Sequence, residues 1–210
     1  MPASLFSIES LMLILRGLGA TILIALLSVL LGTLIGGTLY AMLRSHHKAM
    51  RTTGAIYRFI IRGTPVMILL LAIYYVFFSG HASLLAAILA FGISFSTFAC
   101  GLFQSSIESV GHGQIEAGRS LGLTNMQTYR YVVAPQAVRN ALPAFKFQAV
   151  NTLKSTAVVG YVAILDLTQA TEAIRQGSGQ SFVPLVIVTV IYIILAWLLS
   201  SLIDLLVKKI

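Results

Sequence analysis

The chain has 210 residues, 58% of them hydrophobic and 10% charged, with a mean hydropathy of +0.93; that is too apolar for a water-soluble domain of this length. Its formal net charge of +8 comes from basic residues that flank apolar runs, a pattern that fits a membrane surface and not nucleic acid. Cys100 is the one cysteine and lies inside an apolar run, which excludes a disulfide framework.

A bilayer-crossing helix needs about 20 mostly apolar residues. The opening MPASLFSIES has no cationic stretch ahead of a short apolar core, so no cleaved signal peptide is expected. Residues 18–43 form the first expected span. Residues 56–78 form the second, with Arg58 and Arg62 near its start, and residues 84–103 form the third. Residues 142–165 form a fourth, less regular because it carries Lys146, Gln148, Asn151 and Lys154. Residues 182–207 form the fifth, ending beside Asp204, Lys208 and Lys209. The expected fold class is therefore an all-α membrane protein, one domain over residues 1–210 with five transmembrane helices.

Orientation follows from Lys and Arg, which favour the cytoplasmic side. Arg44, Lys48 and Arg51 follow the first span, Arg119, Arg130 and Arg139 follow the third, and Lys208 and Lys209 follow the fifth. Five spans put these groups on one side and leave Arg16 and Arg175 on the other. The N-terminus is then outside and the C-terminus cytoplasmic.

The cytoplasmic segment 111–136, GHGQIEAGRSLGLTNMQTYRYVVAPQ, is too polar to lie in lipid. It reads as two short helices meeting at a corner. Glu116 stands near the positive end of the first, and Gly122 is placed to stop it. Thr124 and Gln127 form a T-x-x-Q capping box that opens the second. Pro135 ends that helix or starts the next. A plain helical loop would suffice for solubility, but the length and the dense caps suggest a rigid, water-facing docking surface.

Candidates for a solute path lie on the spans. Lys154, about 20 Å into the fourth span, must face a cavity or a partner. It either lines a path for a carboxylate or satisfies broken helix carbonyls or Asp166. Gln148, Asn151, Thr152 and Ser155 share one helical face. Ser94, Thr97, Gly101, Gln104 and Glu108 share another on the third span. Polar stripes also serve helix packing, and both readings stand for each stripe. Arg62 is either a gate or an interface anchor. His46-His47 has no nearby carboxylate or thiolate and reads as solvated loop, so no metal is expected.

The chain contains no G-x-x-x-x-G-K-[ST] and no G-K pair, so it cannot cradle ATP phosphates itself. It has no G-x-S-x-G and no H-E-x-x-H, and its acids are six: Glu9, Glu108, Glu116, Asp166, Glu172 and Asp204. An intramembrane enzyme is a remote alternative, and no cofactor is expected in the chain.

The spacing of Glu116, Ala117, Gly118, Gly122, Val132, Ala134 and Pro135 resembles the EAA loop of permeases in binding-protein-dependent ABC importers. Gly118 stands for an alanine, Val132 for an isoleucine and Ala134 for a leucine of that pattern. The stretches RGTPV at residues 62–66 and LKSTAVVGYVAILDL at residues 153–167 are similar to the polar amino acid branch. The resemblance covers nearly the whole chain. It implies the type I ABC importer permease fold, with Glu116, Ala117, Gly118, Gly122 and Pro135 coupling the loop to a cytoplasmic ATPase dimer that binds ATP and Mg. It also implies an external amino-acid-binding protein and a bacterial inner membrane. A permease for methionine, an anion or a metal is the alternative. Similar permeases often carry an Ala-Glu pair and a following Arg on the third span, and an acid before RGTP. This chain has Cys100, Gly101 and Gln104 there, and Phe59. The losses favour a heterodimer, in which a second permease supplies the charged site, over a homodimer relying on Lys154, Gln148 and Asn151.

Overall fold

The computed structural model describes residues 7–78 and 81–207; Lys208 and Lys209 lie outside them. The described residues build helices and no strand. Helix α1, Ile8–Leu43, has 36 residues and begins ten residues before the expected first span. Ser7 caps it, its hydroxyl accepting the Ser10 amide at 3.1 Å. At 1.5 Å per residue the helix is about 54 Å long.

Helix α4, Ser83–Glu108, is the third span and packs along α1 on a seam of small residues. On α1 they are Ser28, Gly32 and Gly36, four apart and so on one face. The Ser28 hydroxyl donates to the Ile88 carbonyl at 3.2 Å. A methyl group on Gly32 would sit 2.6 Å from the Gly92 carbonyl oxygen, and one on Gly36 would sit 2.6 Å from the Ala99 Cβ. Lipid tails offer no hydrophobic drive for helix association, so such close backbone approach supplies the dispersion contact instead. Further along α1, the Thr21 hydroxyl accepts the Leu167 amide at 3.2 Å, and Gly17 lies against the Asp166 backbone.

The expected second span, residues 56–78, is corrected: it is not one helix. The chain forms α2, Lys48–Gly63, and α3, Val66–Ala72, which continues as a π-turn, Ile73–Phe77. The two are bent by 107°. The cause is Pro65, which lacks an N–H and pushes the preceding residue out of the helical region; Thr64 is accordingly extended, with φ −99 and ψ 123. In α2 only Gly54 is buried, against the Leu39 and Leu43 side chains. The Tyr57 hydroxyl hydrogen-bonds Ser96 on α4 at 2.8 Å. Leu70, Ile73 and Tyr74, from α3 and its π-turn, enter a core with Ile24, Ala86 and Phe91.

The expected fourth span is also redrawn. Helix α6, Asn125–Thr128, a π-turn at Tyr129–Val133 and α7, Ala134–Ser155, run end to end. The path unwinds into a 3-10 turn at Thr156–Val162, and after a left-handed Ala163, φ 58, the chain enters α8, Leu167–Ser178. The bend into α8 is 56°. Helix α9, Phe182–Val207, coincides with the fifth expectation. Lys146 on α7 donates to both carboxylate oxygens of Asp204 on α9, at 2.9 and 3.1 Å. Among the described residues, three helices are long and apolar enough to cross a membrane, or up to five if each bent pair is one span.

Replacing Gly36 with Leu should destabilise the α1–α4 pair by about 1–3 kcal/mol or more, the usual cost of overpacking. Gly19, where an added methyl meets nothing within 4 Å, should accept Ala unchanged. Thermal unfolding of the purified protein in detergent distinguishes the two; equal midpoints would contradict the seam.

Candidate functional site

The segment 111–136 is built as two helical pieces and a tight corner. Helix α5, His112–Ser120, carries Glu116 and Ala117 exposed and Gly118 buried. It stops in a doubly hydrogen-bonded left-handed turn. The Gly122 amide donates to Arg119 O at 2.9 Å, and the Leu123 amide donates to Gly118 O at 3.2 Å, which is the Schellman arrangement. It requires a positive φ at Gly122, and that angle is +81°. Two residues later Thr124 caps α6. Its hydroxyl accepts the Gln127 amide at 3.3 Å, and the Gln127 side chain accepts the Thr124 amide at 2.9 Å. The expected capping box is present.

Two features hold the corner closed. A methyl group on Gly118 would meet the Thr128 Cγ2 at 2.9 Å, so this chain carries glycine where the resembled pattern has alanine. Below the corner, Val110, Val133 and Ala137 form a small core with Ile107 and Ile115. The Asn140 side chain donates to the Ser109 hydroxyl at 2.8 Å. The loop is thereby fastened to the ends of both α4 and α7. Its outer side presents Leu121, 81% exposed, and Met126, 74% exposed. Pro135 lies in the first turn of α7, so it starts that helix, one of the two expected placements. The π-turn before it widens the coil, which accommodates a residue without an N–H.

The membrane candidates divide into two places. Gln104 is exposed and donates to Glu108 at 3.1 Å. It is one turn beyond Cys100, which faces Gly36 of α1. Lys154 and Asn151 are exposed, and Gln148 and Ser155 are half-buried. They flank Leu153, which packs with Ala25 of α1. Gly36 and Ala25 are eleven residues apart, about 16 Å along the helix, so Gln104 and the Lys154 group stand at different heights. The Ser155 hydroxyl donates to the Asn151 carbonyl at 2.9 Å, and that of Thr152 to the Gln148 carbonyl at 2.9 Å. One expected alternative is overturned: Lys154 does not pair with Asp166. Asp166 is fully buried and caps α8, accepting the Thr168 and Gln169 amides at 3.2 and 3.0 Å.

The structure also gathers residues that the sequence reading left at a membrane edge. Tyr57 is bonded to Ser96, and Cys100 follows Ser96 by one turn of α4. Arg58 follows Tyr57 on α2, close enough to Cys100 for its charge, and that of Arg62, to be felt there. Arg58 is half-buried and Arg62 exposed; four residues apart, they share a face of α2. Among the described residues neither forms an ion pair.

Compared with known proteins, the pattern of the family described as "Binding-protein-dependent transport system inner membrane component" matches residues 28–210. The chain belongs to that family. The histidine/lysine/arginine/ornithine transport system permease protein HisM of Salmonella typhimurium is 29% identical over 203 residues, spanning 89% of this chain and 85% of its own. The probable amino-acid ABC transporter permease protein YckA of Bacillus subtilis is 30% identical over 166 residues, 78% of this chain and 74% of its own. A crystal structure of an amino acid ABC transporter with histidines superposes with a TM-score of 0.82 at 31% identity, covering 94% of each chain. The inward-facing MetNI methionine ABC transporter superposes at a TM-score of 0.77 and 24% identity over 97% of this chain and 99% of its own, a likeness of fold alone. This permease is thus a multi-pass membrane component of the type I importer fold.

Gly122→Val should loosen the corner, because a left-handed backbone costs a residue with a side chain roughly 1–2 kcal/mol. Arg119 and Arg130 flank it, so limited trypsin digestion of the purified permease should cut the variant several-fold faster than the parent. Equal rates would count against a corner closed by glycine.

Proposed function

We propose that this permease is one membrane subunit of an ATP-driven importer for polar amino acids in a bacterial inner membrane. The observation that carries the reading is the rigid corner at residues 111–136, which projects Glu116, Leu121 and Met126 from a base fastened to α4 and α7. Glu116, Ala117, Gly118, Gly122 and Pro135 make up the coupling element. A cytoplasmic ATPase dimer binds ATP and Mg and docks on it, and its closure rocks the membrane subunits as rigid bodies between two states. The names borne by HisM and YckA, and the histidine-bound neighbour, support amino acids as the solute class. RGTP and the LKST stretch support it from within the chain.

The N-terminus faces out and the C-terminus faces the cytoplasm. An external binding protein delivers the solute. The partner within the membrane is a second, different permease rather than a copy, because Phe59, Cys100, Gly101 and Gln104 replace the charged residues of similar chains. Of the path candidates, Gln104 serves the cytoplasmic half, while Gln148, Asn151, Lys154 and Ser155 serve the outer half.

Glu116→Lys should leave insertion intact and abolish most solute-stimulated ATPase activity of the reconstituted complex; parental stimulation would refute the coupling role. Cysteines placed at Ser45 and Ser178 should label from the cytoplasmic and outer sides respectively, and labelling from one side would refute the five-span topology. Co-purification should recover a second permease, whereas full uptake by this permease with its ATPase and binding protein alone would establish a homodimer.

A further inference from the structure

We propose that the end of α1 and the groove between α4 and α7 form a binding site for one membrane phospholipid, the zwitterionic phosphatidylethanolamine. The inference concerns the lipid around the permease and holds whichever solute is carried.

Two cavities carry it. The first, about 500 Å³, opens where α1 and α4 end beside α5, and its walls are polar: Arg44, Glu108 and His112, with Tyr40 and Tyr129. The second, about 330 Å³, is a groove between Leu102 and Phe103 of α4 and Val138, Leu142 and Phe145 of α7. Ile107 and Tyr129 line both, and the Tyr40 ring of the first stands 6.4 Å from the Phe103 ring of the second. A charged chamber is thus joined to an apolar groove.

Length decides what fits the groove. Its α7 wall runs from Ala134 to Phe145, eleven residues or about 16 Å. Half of a hydrocarbon core is about 15 Å, the reach of one acyl chain in one leaflet. The deep end is marked by Phe145, which packs on Phe95 of α4 at 5.9 Å. The charged chamber lies at the other end, beside Arg44, the residue that follows α1. Headgroup and chain therefore meet matching surroundings in the order in which a lipid presents them. With the orientation proposed above, the leaflet is the cytoplasmic one.

The charges select the headgroup. Arg44 stands over the Tyr40 ring at 5.9 Å and donates to its hydroxyl at 3.3 Å. Glu108 accepts from Gln104 at 3.1 Å. Both line the chamber, yet among the described residues no ion pair joins them. Opposite charges that share a space without meeting suit a ligand that carries both. Arg44, with His112 in the same chamber, suits the phosphate diester, because a guanidinium fork matches phosphate oxygens. Glu108 suits the ammonium, whose N–H groups its oxygens accept. Phosphatidylglycerol would bring only the negative charge and place it near Glu108. Phosphatidylcholine has the positive charge but no N–H to donate.

The test uses the purified importer complex, stripped of lipid in detergent and titrated with dioleoyl phosphatidylethanolamine, phosphatidylglycerol or phosphatidylcholine under native mass spectrometry. The ethanolamine lipid should bind the parent at least about tenfold more tightly than the other two, the worth of one charge-assisted hydrogen bond. Arg44→Gln should weaken that binding by about the same factor, and Arg44→Lys should recover part of it. Glu108→Gln should remove the preference over phosphatidylglycerol. Ala141→Phe, which fills the groove, should also weaken the lipid. Soluble glycerophosphoethanolamine, which lacks the chains, should bind the parent at least about a hundredfold more weakly than the lipid does. Equal binding of the three lipids by the parent would overturn the site, as would undiminished affinity in Arg44→Gln or in Ala141→Phe. If Arg44→Gln does not fold, Glu108→Gln decides, and an unchanged preference overturns the proposal. Soluble headgroup binding as tight as lipid binding would overturn the role of the groove. Absence of any bound lipid would overturn the whole, the result expected if the second permease fills the groove. Binding is read directly, so none of these outcomes bears on whether amino acids are imported.

Discussion

Close contact between α1 and α4 is the constraint on which the other elements depend. Ser28, Gly32 and Gly36 meet Ile88, Gly92, Ser96 and Ala99 with no room for a methyl group at the glycines. In water such a pair would be held by burial of apolar area, but in lipid the exposed and buried states are equally greasy. What remains is dispersion at short range and hydrogen bonds that lack competition from solvent. Small residues satisfy both needs. Everything else attaches to this pair: α2 rests on it through Gly54, against Leu39 and Leu43, and Tyr57, against Ser96, α3 fills the groove near Ile24, and the start of α8 is keyed into Gly17 and Thr21.

The contrast between legible and illegible parts has a physical basis. Local devices were legible. The Thr124 capping box and the Gly122 stop depend on side chains within five residues of each other, and both occur as the sequence implies. The last span was legible because it is continuous, apolar and free of proline along most of its length. Hydropathy alone misled for α2 and α3. It sums over a window and does not register direction, so residues 56–78 counted as one span although Pro65 breaks them by 107°. The same averaging hid the contact of Tyr57 with Ser96. The roles of Lys154 and Asp166 depend on which groups meet across the fold, and the burial of Asp166 as the α8 cap is a long-range outcome that spacing does not encode.

The continuity from α6 into α7 bears on how motion passes through this permease. Asn125 to Ser155 follows one helical course, with π-turn widening but no stop. The corner above it is tied to α4 through Val110, Ile107 and the Asn140–Ser109 bond. A push on Leu121 or Met126 is therefore applied to the ends of two membrane helices at once. The α7 helix then hands load to α9 through Lys146 and Asp204. By contrast, the 3-10 turn at Thr156–Val162 has poorer hydrogen-bond geometry than an α-helix and sits where that stiff course ends.

The length of α1 gives the surrounding bilayer a mechanical part in this system. The glycine and hydroxyl contacts of α1 with α4 and the start of α8 run from Gly17 to Gly36, about 28 Å, close to the roughly 30 Å thickness of a hydrocarbon core. Its first turns extend past that stretch and still carry Ile8, Leu11 and Leu15 exposed. Apolar turns outside the core favour tilting the helix or thickening the lipid around it. A thicker membrane would let α1 stand more upright, and α4, locked to it along the glycine seam, would turn with it. The resting angle of the whole block is in this sense shared between the protein and the acyl-chain length of its host membrane.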